Sequence, residues 1–279
     1  MREIREECGV FGIHNFQDAS ALTALGLHAL QHRGQEGCGI VSFDGKNFHS
    51  EKRHGLVGDN FTNKEILKKL PGDFAIGHNR YSTTGETSLR NIQPFFADIY
   101  GGGISVAHNG NFTNAIQLRK DLVKEGAIFR TTSDTETVVQ LIAKSKRIKM
   151  IDKIIDTLFQ IQGGYALIMM SHEKLIGVRD PLGIRPLVLG KIKNSYVLAS
   201  ETCALDIIGA KFIREVENGE IIIIEKDTLK SIKPFPKKNL DPVFLNIFIL
   251  LDQTVYLKIN ALTNIEKILA MNLQKNPLI

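Results

Sequence analysis

Short β-rich segments dominate two parts of the chain, and helical patterns lie between them. Residues 9–13 alternate small and apolar side chains as a buried strand does, and residues 73–78 and 103–108 predict two further strands. More short β-rich runs, divided by turns, follow at residues 165–170, 175–179, 187–190, 196–200 and 220–225. Because the strands cluster and do not alternate singly with helices, the pattern favours an α+β fold in which helices cover sheets.

Four helices are predicted, at residues 20–31, 113–125, 134–146 and 151–161. The pair Arg33 and Gly34 is expected to stop the first, and Gly126 is a plausible cap after the second. The three glycines at 101–103 precede a strand, so they indicate a hairpin and not a phosphate-binding loop.

Composition narrows the class of protein. The 279 residues are 43% hydrophobic and 23% charged, which is typical of globular proteins. No run of about 18 apolar residues occurs, so no membrane span is expected. The net charge of +5 comes from dispersed lysines without a nucleic-acid motif, so no nucleic-acid partner is expected. Three cysteines are too few and scattered for a disulfide framework or a zinc site, which favours a reducing, cytoplasmic setting.

Several polar residues are candidates for chemistry, although each has an ordinary interpretation. Cys8 alone is typical of a small buried hydrophobic residue. Asp134 is a natural helix N-cap, Arg80 a surface cation, and Asn109 with Gly110 a hairpin turn. The functional interpretation depends on context: polar loops at residues 78–85 and 108–111 each follow a predicted buried strand, where side chains can converge on a site.

Seven segments together resemble one enzyme family. They are ECGVFGI at 7–13, LQHRGQEGCGI at 30–40, GHNRYSTTG at 77–85, AHNGN at 107–111, TTSDTE at 131–136, RDPLGIRPLVLG at 179–190 and ASETCALD at 199–206. In order and spacing they resemble the glutaminase domain of glutamine amidophosphoribosyltransferases. Several are shared with other N-terminal-nucleophile glutaminases, whereas LQHRGQEG and ASETCALD are more specific to the purine enzyme. The resemblance implies a four-layer αββα sandwich that covers residues 8–236.

The resemblance also implies roles for individual residues. Residues 1–7 would be a propeptide whose removal leaves Cys8, the nucleophile, with a free α-amine that serves as its base. The Asn109 side chain and the Gly110 backbone N–H would form the oxyanion hole. The substrate is expected to be glutamine, with Arg80 on its α-carboxylate, Asp134 on its α-ammonium group and Thr83 in support.

Arg33 is expected to have a structural role beside the nucleophile. The departures from the family pattern are small: Asn79 stands where Val is common, and Cys38 where Ala is common. Neither residue carries an assigned role, and Cys203 matches a position that is interpreted as packing.

No metal or other cofactor is expected in this chain, because magnesium and the iron–sulfur cluster of some relatives belong to the full-length family. A homo-oligomer is compatible with the resemblance.

The C-terminal segment departs from the family. Residues 237–279 contain no sequence like the PCIFEYIYFARPDS join that leads to the phosphoribosyltransferase domain. With permitted codons, however, residues 241–255 read two nucleotides later give PCIFEYIYFARPDS, and residues 264–271 can give YRKNFGN in the same phase. We therefore expect a linker followed by an out-of-frame peptide, with the phosphoribosyltransferase domain missing. The alternative is a genuine short helical extension.

Two other functions compete with glutamine hydrolysis by an amidophosphoribosyltransferase domain. The first is the glutaminase of a different amidotransferase, which the ASETCALD segment disfavours. The second is a non-catalytic remnant, which measurable glutaminase activity would exclude.

Overall fold

The computed structural model describes residues 8–81 and 88–235. The described residues form thirteen strands, which we number in chain order. They are β1 (Gly9–Ile13), β2 (Gly37–Phe43), β3 (Phe48–His54), β4 (Phe74–Arg80), β5 (Phe95–Ile99), β6 (Gly102–Phe112), β7 (Gly163–Ser171), β8 (Lys174–Arg179), β9 (Val188–Ile192), β10 (Ser195–Ala199), β11 (Lys211–Glu215), β12 (Ile221–Glu225) and β13 (Thr228–Ile232).

Seven α-helices connect or cover these strands in the same part of the chain. They are α1 (Ala19–Ala29), α2 (Val57–Asn60), α3 (Lys64–Leu67), α4 (Ala115–Lys124), α5 (Thr135–Lys144), α6 (Met150–Leu158) and α7 (Cys203–Asp206). Short 3₁₀ helices occur at Gln31–Arg33 and Leu89–Asn91. Among the described residues, no helix is long and apolar enough to cross a membrane.

The strands form two antiparallel sheets. The first has the order β11-β9-β10-β1-β4-β2-β3, and the second has the order β13-β12-β8-β7-β6-β5. In the first sheet β1 pairs with β4, with Gly9 opposite Asn79, and β4 also pairs with β2, with Gly37 opposite Arg80. In the second sheet β6 pairs with β7, with Gly110 opposite Tyr165.

Three apolar cores separate four layers. One contains Phe11 and Ile40 of the first sheet together with Leu27 of α1, and another contains Val106 of the second sheet together with Val138 of α5. The third lies between the sheets, where Val10 packs with side chains such as Ile168 of β7. The order helix, sheet, sheet, helix is the αββα sandwich that the resemblance implies, and the α+β prediction is confirmed.

The main correction concerns the polar segments that follow the strands. Residues 78–80 and 108–111 were expected in loops, but they are the last residues of β4 and within the C-terminal part of β6. Asn109 and Gly110 therefore lie in a strand and not in a hairpin turn. The first helix also ends earlier than predicted, at Ala29, and a 3₁₀ turn continues to Arg33.

Candidate active site

Cys8 immediately precedes β1, at the position where β4 ends beside it. Its backbone has a φ of +63°, a left-handed conformation that is uncommon for residues with a Cβ atom. The Sγ atom lies 3.7 Å from the carbonyl oxygen of Tyr81, the residue after β4. The thiol is therefore at the junction of two neighbouring strands, in a backbone conformation of the kind that clusters at functional sites.

Arg33 contacts the main chain of Cys8 from both directions. The Arg33 carbonyl oxygen accepts a hydrogen bond from the Cys8 N–H at 2.8 Å, and the Arg33 Nε donates to the Cys8 carbonyl oxygen at 2.7 Å. The Arg33 side chain is only 1% exposed, and its Nη1 forms an ion pair with Glu201. Burial alone would raise the pKa of the Glu201 carboxyl, but the hydrogen bond and charge of Arg33 outweigh it and lower that pKa. Arg33 thus holds the backbone of Cys8.

Strand alternation directs Arg80 and Asn109 into the space between the sheets. Ile76 of β4 and Ala107 of β6 both belong to the core between the sheets. Side chains an even number of residues apart leave a strand on the same face. Arg80 therefore leaves β4 on the same face as Ile76, and Asn109 leaves β6 on the same face as Ala107. Two of the predicted site residues from different sheets therefore face a common space.

Asn109 is fully buried, and its amide has no protein partner among the described residues. Neither Nδ2 nor Oδ1 makes a hydrogen bond there. A buried polar group without a partner costs about 1–3 kcal/mol, so such a group calls for an explanation, and completion by a ligand or a bound water is one. Gly110, the next residue, has a φ of +134°, and a Cβ atom there would lie 2.1 Å from the Gly164 carbonyl oxygen. The backbone geometry at this position requires glycine.

His78 and His108 link the sheets beside this pair. His78 Nε2 lies 3.1 Å from the carbonyl oxygen of His108, which requires the proton of the neutral imidazole to be on Nε2. Burial, followed by the nearby charges of His108 and Arg80, lowers the pKa of His78 to about 3. A neutral imidazole therefore fixes the strand that carries Arg80 to the strand that carries Asn109.

Asp134 lies at the start of α5, but its side chain does not cap that helix. Its Oδ2 accepts the Phe112 N–H at 3.0 Å, and its Oδ1 lies 3.3 Å from the Thr135 hydroxyl and 3.7 Å from His108 Nδ1. Burial would raise the pKa of Asp134, but the His108 charge and these hydrogen bonds outweigh it and lower the pKa. The result is an ionised carboxylate whose side chain is 21% exposed, anchored to the end of β6.

Arg80 is held by a residue that the sequence analysis did not select. Its Nη1 donates to the Asn91 carbonyl oxygen at 2.7 Å, while its Nε is buried without a partner in the described part of the chain. The Asn91 side chain exchanges two hydrogen bonds with Thr132, at 2.9 and 3.1 Å. Asn91 therefore connects Arg80 to the segment that leads to Asp134.

The remaining predicted positions lie outside the described residues. Thr83 is one of them, as are the expected propeptide at residues 1–7 and the segment 237–279.

Comparison with known proteins identifies the domain. The family described as "Glutamine amidotransferase domain" matches residues 78–206. The amidophosphoribosyltransferase of Rhizobium etli is 57% identical over 243 residues, which are 84% of this chain and 49% of that protein. That of Bacillus subtilis is 45% identical over 232 residues, 83% of this chain and 48% of that protein. The solved structure of the Bacillus subtilis glutamine phosphoribosylpyrophosphate amidotransferase, complexed with ADP and GMP, superposes with a TM-score of 0.77 at 44% identity; the match covers 81% of this chain and 49% of that one.

Residues 78–206 therefore carry a glutamine amidotransferase domain. The matched region corresponds to the glutaminase domain of amidophosphoribosyltransferases. The chain spans about half the length of the curated relatives it matches.

The two departures from the family pattern are neighbours in this glutamine amidotransferase domain. Cys38 of β2 lies directly opposite Asn79 of β4, so their side chains leave the sheet on the same face. The Asn79 amide donates to the Leu27 carbonyl oxygen in the last turn of α1 at 2.6 Å. Cys38 is fully buried with its Sγ 3.6 Å from the Gly55 carbonyl oxygen, and burial raises the pKa of its thiol to about 12. Such a thiol is a poor nucleophile.

Cys203 is the third free thiol, and it belongs to a polar cluster. Its Sγ lies 3.6 Å from Glu201, whose carboxylate also contacts His32 and Arg33. Cys203 is interpreted from the sequence as a packing residue, and its sulfur also contacts the charged Glu201 side chain.

Proposed function

We propose that the chain hydrolyses glutamine to glutamate and ammonia through a thioester on Cys8. The observation that carries the proposal is the Asn109 amide, which is fully buried, has no partner among the described residues and faces the same space between the sheets as Arg80. A tetrahedral intermediate on Cys8 would place an oxyanion within this space. The Asn109 Nδ2 and the Gly110 N–H are then the donors that stabilise it.

Removal of residues 1–7 would turn the Cys8 nitrogen into a primary amine that the Arg33 carbonyl already orients. An α-amine with a pKa of about 7.7–8.0 can accept the proton of a thiol with a pKa of about 8.5. The thiolate then attacks the side-chain amide carbon, and the C–N bond breaks as ammonia leaves with a proton from the α-ammonium group. Water attacks the thioester, with the amine again accepting a proton, and glutamate is released.

Two side chains of opposite charge bind the α-carboxylate and the α-ammonium group of glutamine. Arg80 offers a planar guanidinium to the α-carboxylate, supported by its unpartnered Nε. Asp134 offers an ionised carboxylate to the α-ammonium group, supported by its lowered pKa. We assign Thr83 a supporting contact with the substrate.

The biological reaction is the first half of phosphoribosylamine synthesis in purine biosynthesis. This assignment is supported by the identities of 57% and 45% to amidophosphoribosyltransferases. A cytoplasmic location agrees with the small number of cysteines, three in 279 residues.

Labelling with a glutamine analogue that carries a diazoketone in place of the side-chain amide tests the proposal. We expect one adduct per chain, located on the peptide that contains Cys8, together with loss of glutamate release. An adduct on Cys38 or Cys203, or no glutamate release from an unlabelled sample that begins at Cys8, would contradict the proposal.

A further inference from the structure

His32, Glu201 and Cys203 form a cluster of metal-ligating side chains on the far side of Arg33 from the nucleophile. One imidazole nitrogen, one carboxylate oxygen and one sulfur lie within 4.8 Å of one another. The residues come from two segments about 170 positions apart in sequence, which is why spacing alone does not reveal the cluster. The side chain of His32 is 55% exposed and that of Glu201 is 32% exposed, so an ion can reach them from solvent.

Two of the three distances between these atoms are close to those between the ligands of a tetrahedral site, and the third is at most 4.8 Å. His32 Nε2 lies 3.0 Å from Glu201 Oε2, and Cys203 Sγ lies 3.6 Å from the same oxygen. Ligands of zinc at about 2.0–2.3 Å, held at tetrahedral angles, are about 3.3–3.6 Å apart. Small side-chain shifts would therefore place all three atoms around one ion.

The ring of His32 provides a second, independent observation. Its Nδ1 lies 3.1 Å from the Ala29 carbonyl oxygen, and its Nε2 faces the Glu201 carboxylate, so both nitrogens point at acceptors. A neutral imidazole has one donor and cannot satisfy both. A metal ion on Nε2 satisfies both, and the Nδ1–H to carbonyl contact is the one that commonly orients a ligating histidine. The other solution is an imidazolium, which the experiment below distinguishes.

We propose that His32, Glu201 and Cys203 bind a zinc ion, with solvent as the fourth ligand. Thiolate, imidazole and carboxylate together favour zinc over magnesium or calcium, which prefer all-oxygen sites. On binding, the Cys203 thiol releases its proton to solvent and its sulfur bonds to the metal as a thiolate.

The site would be linked to Cys8 through Arg33. Glu201 presents Oε2 to the cluster and Oε1 to the buried Arg33 guanidinium, which in turn holds the main chain of Cys8. A dication on Glu201 weakens its pairing with Arg33 because two cations then share one carboxylate. Zinc is therefore expected to lower glutamine hydrolysis, a consequence that rests on the proposed function.

The metal site is tested by titrating cobalt(II), a spectroscopic substitute for zinc, into the full chain that carries Cys8→Ala. This substitution prevents the nucleophile from binding the metal. We expect one equivalent of cobalt, the visible bands of tetrahedral cobalt and a sulfur-to-cobalt charge-transfer band, all abolished by added zinc. Adding Cys203→Ala should remove the charge-transfer band, and adding His32→Ala should weaken binding at least about tenfold. Adding Cys38→Ala, the matched control, should change neither. Absence of the charge-transfer band with Cys8→Ala alone, or its persistence without Cys203, would overturn the metal site; failure of glutaminase activity would not affect this readout.

The link to the nucleophile is tested by the ratio of glutamate release with and without zinc chloride. Zinc should lower this ratio in the unmodified chain and in Cys38→Ala, but not in Cys203→Ala or His32→Ala. Equal inhibition in all four proteins would show that zinc acts directly at Cys8 and would refute the link.

Discussion

The Nε2 atom of His78 lies 3.1 Å from the carbonyl oxygen of His108, and this buried hydrogen bond joins the two sheets at the site. His78 precedes Arg80 by two residues, and His108 immediately precedes Asn109. The bond therefore fixes the distance between the group assigned to the substrate carboxylate and the group assigned to the oxyanion. Because burial keeps this imidazole neutral, protonation of His78 is costly in the folded state and makes the fold sensitive to acid.

Acid sensitivity is the first prediction. The pKa of His78 is about 3 in the folded protein and near 6.5 for an ordinary imidazole, so between these values the unfolded chain binds a proton that the folded chain does not. The free energy of unfolding should therefore fall as pH drops from about 6.5 towards 3, with up to about 1.4 kcal/mol per pH unit from this group. His78→Gln keeps a donor for the His108 carbonyl and removes the titration. Urea unfolding at several pH values should show a shallower pH dependence in this variant, and equal slopes would contradict the assignment.

Asn109→Ala should separate activity from stability. Loss of one oxyanion donor is expected to lower kcat about 100-fold to 1,000-fold, with little change in KM. The thermal midpoint should not fall as it does for most buried substitutions, because the variant removes a buried amide that has no partner among the described residues. Steady-state kinetics and calorimetry check both parts. A strong rise in KM with unchanged kcat would instead place Asn109 in substrate binding.

Arg80→Lys should act mainly on binding. Lysine keeps the charge but not the two-pronged geometry, and a hydrogen bond to a charged group contributes about 1.5–3 kcal/mol, so KM for glutamine should rise about tenfold or more. The neighbouring exposed Arg90 provides the control, since Arg90→Lys changes the same chemistry outside the site. Equal effects of the two substitutions would argue against a specific carboxylate contact.

Cys8→Ala should abolish glutamate release while the domain remains folded. Cys38→Ala should retain most of the activity, because the Cys38 thiol is buried and its pKa is raised to about 12. Glutamate assays with circular dichroism as the folding control make this comparison. If Cys38→Ala were as inactive as Cys8→Ala, the choice of nucleophile would be wrong.

Processing of the N-terminus is the last prediction. Active protein should begin at Cys8, since the mechanism needs an α-amine on the nucleophile. Intact-mass analysis of an active sample should show the loss of residues 1–7. An active sample that retains them would require a different base.

The sequence predicted the buried parts of the sheets well and their edges poorly. The strands with long apolar runs, such as β7 and β12, were expected close to their observed positions. All four edge strands were missed, because an exposed strand need not carry the apolar alternation that marks a buried one. These are β3, β5, β11 and β13. The inner strand β2 was missed as well, since Gly37 and Gly39 weaken its β-propensity.

The site was predictable only where a motif carried it. The resemblance supplied Cys8, which lies where β1 and β4 meet, and Arg80 and Asn109, which face the space between the sheets. It gave no reason to select Asn91 or Glu201, which act on Arg80 and Arg33 through hydrogen bonds between distant segments. Contacts of this kind join segments that are distant in sequence and depend on the whole fold. No local sequence pattern therefore predicts them.

The cross-strand pair of Cys38 and Asn79 has a consequence for exchanging parts between relatives. The Asn79 side chain donates a hydrogen bond to the Leu27 carbonyl oxygen in the last turn of α1, and Cys38 lies opposite Asn79 on β2. The helix and β4 are therefore linked, because a chimera that imports β4 with Val removes the donor to the Leu27 carbonyl whether or not Cys38 is kept. Grafting this domain onto a synthase domain should move α1 and β4 together, with junctions placed outside them.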